Sequence, residues 1–235
     1  MCSAKTLGKI AQLGYGETAI TTSESFRNLV PSSSLIERNE FLKSIALGKT
    51  VLHLGAVDKG FGEIASLHRN LMKVSKKVVG VDMDKGGIQE CKELGIDNIL
   101  EGNVEHLELV SLPESNYDVI VAGEILEHLS NPGMFLEGIK KFFSPHTQMV
   151  ITTPNALALH RFLLSFLRVE SQHPGHSISF SYTTLTSLLK RHGFSIDRVL
   201  YYRGISLFEK SVYPLIPWLS TGIVCVVSRR EIKED

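Results

Sequence analysis

The chain has 235 residues, 43% of them apolar, and its 25 acidic residues balance 25 basic ones. This length and composition suit one α/β domain, or one domain with a small appendage, whose core is covered on both faces. The formal net charge of zero gives no sign of electrostatic capture of bulk nucleic acid.

The cysteines and the first residues indicate a reducing compartment. Cys2, Cys91 and Cys225 are scattered and form neither a disulfide framework nor a metal-binding spacing. No long apolar stretch follows Met1, so a secretory signal is not expected. We therefore expect a cytoplasmic protein.

The N-terminal part differs in composition from the rest of the chain. Residues 1–40 are mixed and polar and predict an N-terminal helical cap, with a helix from Leu35 to Leu47. Residues 41–235 then form the main domain. Within it, 156–182 interrupts the regular alternation of elements, and a long insertion at a ligand-binding edge is typical of a lid.

Strands and helices alternate from Thr50 onward, which indicates a mostly parallel, doubly wound sheet. A strand begins at Tyr117 and runs into Glu124, and another begins at Val150 and ends in the turn 152–155. The other predicted strands are Thr50–Gly55, Val78–Asp82, Asn98–Gly102, Ser195–Tyr202 and Ile223–Ser228. Helices are predicted over Glu63–Met72, Lys85–Leu94, around Phe135–Phe143, over Leu157–Leu167, and from Thr183 or Thr184 to Gly193.

Polar side chains follow two of these buried strands. Glu124, Glu127 and His128 come directly after the fourth strand, and Asn155 ends the turn after the fifth. Ligands of open parallel sheets bind outside the carboxyl ends of the strands. These four residues are therefore expected at the functional edge of the molecule.

The first three strands end in residues that suit a nucleotide-like ligand. Gly55 and Gly60 allow the backbone to approach a ligand closely, although the G-x-G-x-x-G spacing of dinucleotide sites is absent. Asp82 can accept both hydroxyls of a ribose, but it can also be a solvated acid at a strand end, and Asp84 competes for the role. Asn103, with the following backbone amide, either reads the edge of an adenine or forms an ordinary turn.

Five segments together resemble the successive motifs of class I S-adenosylmethionine-dependent methyltransferases. They are Val51–Gly55, Val81–Asp82, Gly102–Val104, Tyr117–Ile120 and Thr152–Asn155, and the resemblance covers about Leu42 to Arg203. It is closest to the branch whose fourth strand runs into Glu-x-x-Glu-His-Leu. The resemblance implies a Rossmann-like, doubly wound, seven-stranded and mostly parallel sheet with helices on both faces and a reversed last strand.

The same resemblance implies the cofactor S-adenosylmethionine and assigns a part of it to each motif. By position, Gly55, Ala56 and Gly60 face the methionine part, Asp82 holds the ribose, Asn103 and Val104 lie beside the adenine, and Gly123 and Glu124 flank the sulfonium. Met83, next to Asp82, is a further expected cofactor contact. Two departures stand out: His53 replaces a usually acidic residue, and Ala56-Val57-Asp58 replaces Gly-x-Gly. Asp58 is a candidate replacement for the missing acid.

The Glu-His cluster after the fourth strand has three interpretations. His128 is a general base for a substrate hydroxyl. Alternatively, the cluster binds a divalent cation with His176 or His173, which resembles small-RNA 2′-O-methyltransferases that hold magnesium in this way. In the third interpretation, Glu127 and His128 only order the start of a helix. We take His128, Glu124 and His176 as catalytic candidates, and Glu127, Asn155, His173 and Tyr182 as substrate contacts.

The predicted activity is transfer of a methyl group from S-adenosylmethionine to a small-molecule acceptor, at a hydroxyl oxygen. The alternatives are a metal-dependent RNA 2′-O-methyltransferase using Glu124, Glu127, His128 and His176, or a cofactor-binding module without catalysis. Residues 211–228 carry no charge. Their first part, 212–219, is expected to be either an apolar loop before a buried final strand or a contact with a membrane or an apolar substrate.

Overall fold

The computed structural model of the protein describes residues 29–58, 63–204 and 207–229, with no side-chain description for 207–209. Gly60 and residues 1–28 of the predicted cap lie outside these ranges. Their predicted roles are therefore not addressed by the structure.

The described residues form one eight-stranded sheet in the order β1-β7-β8-β6-β5-β2-β3-β4. Strand β8 is antiparallel to both of its neighbours, and the other pairs are parallel. The expected reversed last strand is confirmed. The strands are Leu35–Ile36 (β1), Thr50–Leu54 (β2), Lys77–Asp82 (β3), Ile99–Glu101 (β4), Val119–Gly123 (β5), Gln148–Pro154 (β6), Phe194–Tyr202 (β7) and Gly222–Arg229 (β8).

Strand β1 is one more than the seven strands expected. Its two residues were predicted to begin a helix. Leu35 and Ile36 instead pair in parallel with Tyr201 and Tyr202 of β7. The amide of Tyr201 donates to the carbonyl of Ser34 at 3.1 Å. The pairing covers an edge of the sheet that would otherwise expose unpaired backbone groups, which is why tertiary contact overrides the helical pattern here.

Helices cover both faces of the sheet, as predicted. Leu42 of α1 and Leu71 of α2 belong to the apolar core on one face, and Phe135 of α4 and Leu185 of α6 belong to the core on the other. The helices are Arg38–Ala46 (α1), Ser66–Val74 (α2), Lys85–Glu93 (α3), Pro132–Ile139 (α4), Leu159–Ser165 (α5), Tyr182–Arg191 (α6) and Leu207–Val212 (α7). Among the described residues, none of these helices combines the length and the apolar character needed to span a bilayer.

The insertion 156–182 is tied to the sheet at both of its ends. Asn155 and Phe180 form a parallel bridge, and the amide of Ala156 donates to the carbonyl of Phe180 at 2.8 Å. Ser181, rather than Thr183 or Thr184, caps the following helix α6, because its hydroxyl accepts from the amide of Thr184 in a capping box. The insertion is therefore a loop whose two ends are hydrogen-bonded to each other at the carboxyl end of β6.

Candidate functional site

A cavity of about 800 Å³ opens at the carboxyl ends of β2, β3, β4 and β5. Its volume lies within the range of small-molecule and cofactor sites. Because neighbouring parallel strands end at the same edge, residues distant in the chain meet in it. The predicted site residues that line it are Gly55, Asp82, Met83, Asn103, Val104, Gly123, Glu124 and His128.

The turn after β2 requires glycine at its first position. Gly55 has a φ of 71°, and a Cβ there would lie 3.0 Å from Cδ1 of Ile125. Ala56, in contrast, does not line the cavity: it is buried and packs in a cluster with Ile88 and Cys91 of α3. The side chain of Ala56 therefore faces the core rather than the cavity.

Asp82 is held in place by two backbone amides. Its Oδ2 accepts from the amide of Val57 at 2.8 Å, and its Oδ1 accepts from the amide of Asp84 at 2.9 Å. A carboxylate has about four acceptor positions, so each oxygen keeps one for a ligand hydroxyl. Asp84 does not compete, because its carboxylate caps α3 by accepting from the amide of Gly87 at 3.0 Å.

The residues after β3 and β4 form the other end of the cavity. Oδ1 of Asn103 accepts from the amide of Glu105 at 2.9 Å, which leaves the amide nitrogen of the side chain as its available group. Val104 packs below it, and Met83 is 72% exposed at the rim. This end offers apolar surface and one polar group, a combination that suits a planar base.

Glu124 has a left-handed backbone, with a φ of 53°. Its Oε1 accepts from the Tyr202 hydroxyl at 2.6 Å and from the Thr152 hydroxyl at 3.1 Å. Arg38 lies 3.8 Å from the same oxygen. Such backbone strain persists only where the surroundings fix it, and it occurs often at functional sites. The carboxylate is thus fixed beside Gly123 in the cavity wall.

The predicted shared helical face of Glu124 with Glu127 and His128 is not formed. Only Leu126–His128 is helical, as one short 3₁₀ turn. Glu127 is 1% exposed and points away from the cavity, where its Oε2 accepts from the hydroxyl of Thr153 at 3.0 Å. Burial, and secondarily the charge of Glu124, raise its pKa to about 8. Glu127 is therefore a neutral carboxylic acid near pH 7 and does not line the cavity as a substrate contact.

His128, His173 and His176 form a cluster next to the cavity. The ring of His128 lies 4.5 Å from that of His176 and 5.7 Å from that of His173, centre to centre. Nδ1 of His128 lies 3.0 Å from the carbonyl oxygen of Gly175. Because a carbonyl only accepts, Nδ1 carries a proton, and in the neutral ring the lone pair is on Nε2. Burial, and secondarily the charge of His128, lower the pKa of His176 to about 4.

These three imidazoles have the spacing of metal ligands, with one nitrogen of each within 4.8 Å of the others. Neither Glu124 nor Glu127 joins this group among the residues that the structure describes. Magnesium prefers oxygen ligands, whereas imidazoles suit zinc and similar ions. The predicted magnesium site of two carboxylates and two histidines is therefore not assembled in this conformation.

Asn155 and Tyr182 do not line the cavity. Asn155 is buried, and its side-chain nitrogen donates to the carbonyls of Trp218 and Ser220 at 3.0 Å each. Its oxygen accepts from the amide of Leu157, so the hydrogen bonds of this side chain join the insertion to the loop before β8. Tyr182 opens α6 and packs against the core. Both predicted substrate contacts thus have structural roles here.

Arg38, Asp58 and His53 are among the cavity-lining residues that received no definite role from the sequence. Arg38 opens α1, and no motif could have identified it. Asp58 lines the cavity, but its carboxylate accepts from the first amides of α2, Ser66 at 2.9 Å and Leu67 at 3.3 Å. His53 is buried under the cavity floor. The sequence signal for His53 was that the resembling family usually has an acidic residue at this position.

The sequence profile of the family described as "Methyltransferase domain" matches residues 34–199. The chain is 27% identical over 164 residues to a probable S-adenosylmethionine-dependent methyltransferase of Mycolicibacterium smegmatis, covering 69% of this chain and 58% of the relative. It is 28% identical over 121 residues to the mitochondrial ubiquinone biosynthesis O-methyltransferase of Schizosaccharomyces pombe, covering 49% of this chain and 42% of the relative. The chain thus spans about half the length of the curated relatives it matches.

Solved structures share the fold. A SAM-dependent methyltransferase from Archaeoglobus fulgidus has a TM-score of 0.57 at 18% identity, over 80% of this chain and 93% of that one. A SAM-dependent methyltransferase from Aquifex aeolicus has a TM-score of 0.56 at 19% identity, over 82% of this chain and 89% of that one. The small RNA methyltransferase HEN1 has a TM-score of 0.59 at 18% identity, over 87% of this chain and 27% of that one.

Proposed function

The chain belongs to the methyltransferase-domain family, and on that premise we propose that it transfers the methyl group of S-adenosylmethionine to a hydroxyl oxygen of a small molecule. The observation that carries this proposal is the cavity itself, where Gly55, Asp82, Asn103 and Glu124 meet beside the free nitrogen of His128. When bound, the cofactor supplies an electrophilic methyl group on a cationic sulfur.

Different residues of the cavity wall would hold different parts of the cofactor. Asp82 would accept hydrogen bonds from the two ribose hydroxyls with the acceptor positions that its backbone partners leave free. Asn103 and Met83 would flank the adenine, and Gly55 would let the backbone approach the methionine part. Glu124, fixed by Tyr202 and Thr152, would help to bind the cationic sulfonium. Alignment of the acceptor with the methyl group then supplies much of the rate enhancement.

His128 is the proposed general base. Its protonated Nδ1 is held by the carbonyl of Gly175, and its Nε2 is free to take the proton of the acceptor hydroxyl. A positioned base contributes typically about 100- to 10,000-fold to the rate. His176 lies against the ring of His128, and its lowered pKa keeps it neutral, so it does not repel the imidazolium that forms.

A small, hydroxyl-bearing acceptor agrees with two further observations. One relative is named as an O-methyltransferase of ubiquinone biosynthesis. The chain also has no net charge with which to attract a polyanion. The RNA alternative needs a divalent cation on carboxylates that the described residues do not bring together. Chelation with EDTA should therefore leave turnover unchanged; loss of turnover that magnesium restores would favour the RNA alternative.

The first experiment is a melting curve with S-adenosylhomocysteine compared with NAD. A ligand present at about 100 times its Kd stabilises the folded state by about 2.7 kcal/mol, so only S-adenosylhomocysteine should raise the Tm. Stabilisation by NAD alone would contradict the proposal.

The second experiment tests His128 with a panel of hydroxyl-bearing small molecules, by following release of S-adenosylhomocysteine. His128→Gln should lower kcat by about 100-fold or more and leave cofactor affinity within about twofold, because the residue acts on the acceptor proton. His146→Gln, at an exposed turn, is the matched control. Unchanged kcat in His128→Gln would remove the base from the mechanism. Cofactor binding without turnover of any acceptor would favour the non-catalytic alternative.

A second proposal concerns the predicted apolar contact. Within 212–219, Tyr213 is buried and Trp218 packs against the core, which leaves Leu215 as the exposed apolar side chain. The larger exposed apolar surface lies on the insertion instead. Its members are Leu157, Phe162, Leu163, Phe166, Leu167 and Val169. We propose that this surface contacts a membrane or an apolar portion of the acceptor.

A further inference from the structure

A pair of buried histidines lies beneath the methionine end of the cavity. His53 of β2 and His68 of α2 are both buried, and their Nδ1 atoms are 3.1 Å apart with the rings inclined by 12°. Nε2 of His53 is buried and has no hydrogen-bond partner among the described residues. Because His53 lines the cavity, its Nε2 is an unpartnered polar atom at the site where a ligand would form a hydrogen bond with it.

Asn98 fixes the direction of the hydrogen bonds in this pair. Its Nδ2 donates to the carbonyl of Val78 at 2.8 Å, so its Oδ1 is the atom 3.3 Å from Nε2 of His68. An amide oxygen only accepts, and His68 therefore carries its proton on Nε2. Its Nδ1 is then a lone pair, which accepts the Nδ1 proton of His53.

The lone pair of His53 consequently lies on Nε2. Burial lowers the pKa of both histidines, and each ring is neutral with a single proton to place. Asn98 determines the tautomer of His68, and His68 determines that of His53. The unpartnered nitrogen is thus an acceptor, and the ligand atom that it requires is a donor.

We propose that Nε2 of His53 accepts a hydrogen bond from the ammonium group of the cofactor's methionine part, with His68 and Asn98 as positioning residues that hold the acceptor tautomer. This inference rests on the proposed function. Among the parts of S-adenosylmethionine, the ammonium offers three donors, whereas the ribose hydroxyls are directed to Asp82 and the adenine lies at Asn103, at the other strands. A neutral imidazole thus supplies an acceptor at a position where the resembling family has an acid.

The test compares two nucleosides that differ in the proposed contact. S-adenosylhomocysteine carries the ammonium, and 5′-methylthioadenosine has the same adenine, ribose and sulfur without it. His53→Leu should raise the Kd for S-adenosylhomocysteine by about 10-fold or more and leave the Kd for 5′-methylthioadenosine within about threefold. His53→Gln, which keeps an acceptor, should restore part of the difference. Calorimetry measures the Kd of each nucleoside for wild type, His53→Leu and His53→Gln.

Three other outcomes would each contradict the inference for a different reason. Equal weakening of both ligands by His53→Leu would mean that the residue only shapes the cavity. Equal affinity of the wild-type protein for both would exclude the ammonium contact and leave the proposed function standing. Failure of the wild-type protein to bind either nucleoside would remove the proposed function and this inference with it.

The tautomer is tested separately by ¹⁵N NMR of the histidine rings. Nε2 of His53 should resonate as an unprotonated nitrogen in the wild-type protein, and a protonated Nε2 would overturn the inference even if every variant fails to fold. Asn98→Asp and Asn98→Leu both lose the bond to the carbonyl of Val78, but only Asn98→Asp keeps an acceptor for His68. We therefore expect the selectivity for S-adenosylhomocysteine to fall in Asn98→Leu and to persist in Asn98→Asp. The same selectivity in both variants would exclude the positioning role.

Discussion

At the scale of single residues, Asp82 carries the proposed ribose contact. Its two oxygens already order the turn through Val57 and Asp84, so the carboxylate meets the cofactor without further rearrangement. Asp82→Ala should weaken binding of S-adenosylhomocysteine by roughly 1.5–3 kcal/mol, because hydrogen bonds to a charged group are lost. Calorimetry measures this change, with Asp97→Ala at an exposed position as the control. Wild-type affinity in Asp82→Ala would contradict the ribose assignment.

Glu127 provides a prediction about pH. Its pKa is raised on folding from 4.5 to about 8, so the folded state holds more protons than the unfolded state between these values. Stability therefore falls as pH rises through this window, with a slope of at most about 1.4 kcal/mol per pH unit. Glu127→Gln cannot ionise and should remove this loss, so that its stability relative to wild type increases toward alkaline pH.

Urea unfolding at several pH values across the window measures the effect of Glu127→Gln. Glu90→Gln, at an exposed position on α3, is the control and should follow the wild-type pH dependence. Parallel curves for Glu127→Gln and wild type would show that Glu127 is ionised in both states, and its assignment as a neutral acid would be wrong.

At the scale of elements, the contact between β7 and β8 supports the cavity wall. Gly222 of β8 lies opposite Tyr202 of β7, and a Cβ at Gly222 would come within 1.9 Å of the tyrosine ring. The same tyrosine donates to Glu124. Gly222→Ala should displace Tyr202 and destabilise the fold by about 1–3 kcal/mol, as overpacking does, and it should also weaken cofactor binding.

The control for this prediction is Gly86→Ala in α3. A Cβ at Gly86 would meet only Oδ1 of Asp84, at 3.5 Å, so this substitution should be neutral or slightly stabilising. Chemical unfolding and calorimetry compare the two variants. Wild-type stability in Gly222→Ala would mean that Tyr202 has another arrangement, and the fixed position of Glu124 would need revision.

At the scale of the whole molecule, the exposed apolar side chains are concentrated on the insertion, beside the loop that carries Leu215. Phe166 and Leu167 are each 72% exposed, and His160 of the same insertion lies 3.2 Å from the hydroxyl of Tyr213 in that loop. Exposed apolar patches of this kind mark surfaces for lipids, ligands or partners. The wild-type protein should co-sediment with phospholipid vesicles, and Phe166→Asp should reduce the bound fraction severalfold.

Leu109→Asp is the control, because Leu109 is as exposed but lies after β4, away from the insertion. Equal co-sedimentation of wild type and both variants would exclude a lipid contact through this surface. If vesicles have no effect while Phe166→Asp raises the KM for an apolar acceptor, the surface serves the substrate instead.

Much of the fold could be predicted because its signals are local. The apolar runs at Val51, Val79 and Val119 predict buried strands, and the glycines, asparagines and strand-end acids between them predict turns at the right places. Errors arose where a distant strand competed with the local pattern. Leu35 and Ile36 pair with β7 rather than extend α1, and the left-handed Glu124 is followed by a short 3₁₀ turn rather than an α-helix.

By itself, the sequence determined where seven of the eight strands lie along the chain and which residues end them, and therefore which side chains lie near the cavity edge. Only the tertiary structure decided what each of those side chains does there. It assigns Asp58 and Asp84 to helix N-termini, buries Glu127 and Asn155 against other loops, and leaves His53 with a nitrogen that has no hydrogen-bond partner in the part of the chain that the structure describes. The physical reason is that a strand's position depends on its own apolar residues, whereas a polar group's role depends on which distant donors and acceptors the folded chain brings to it.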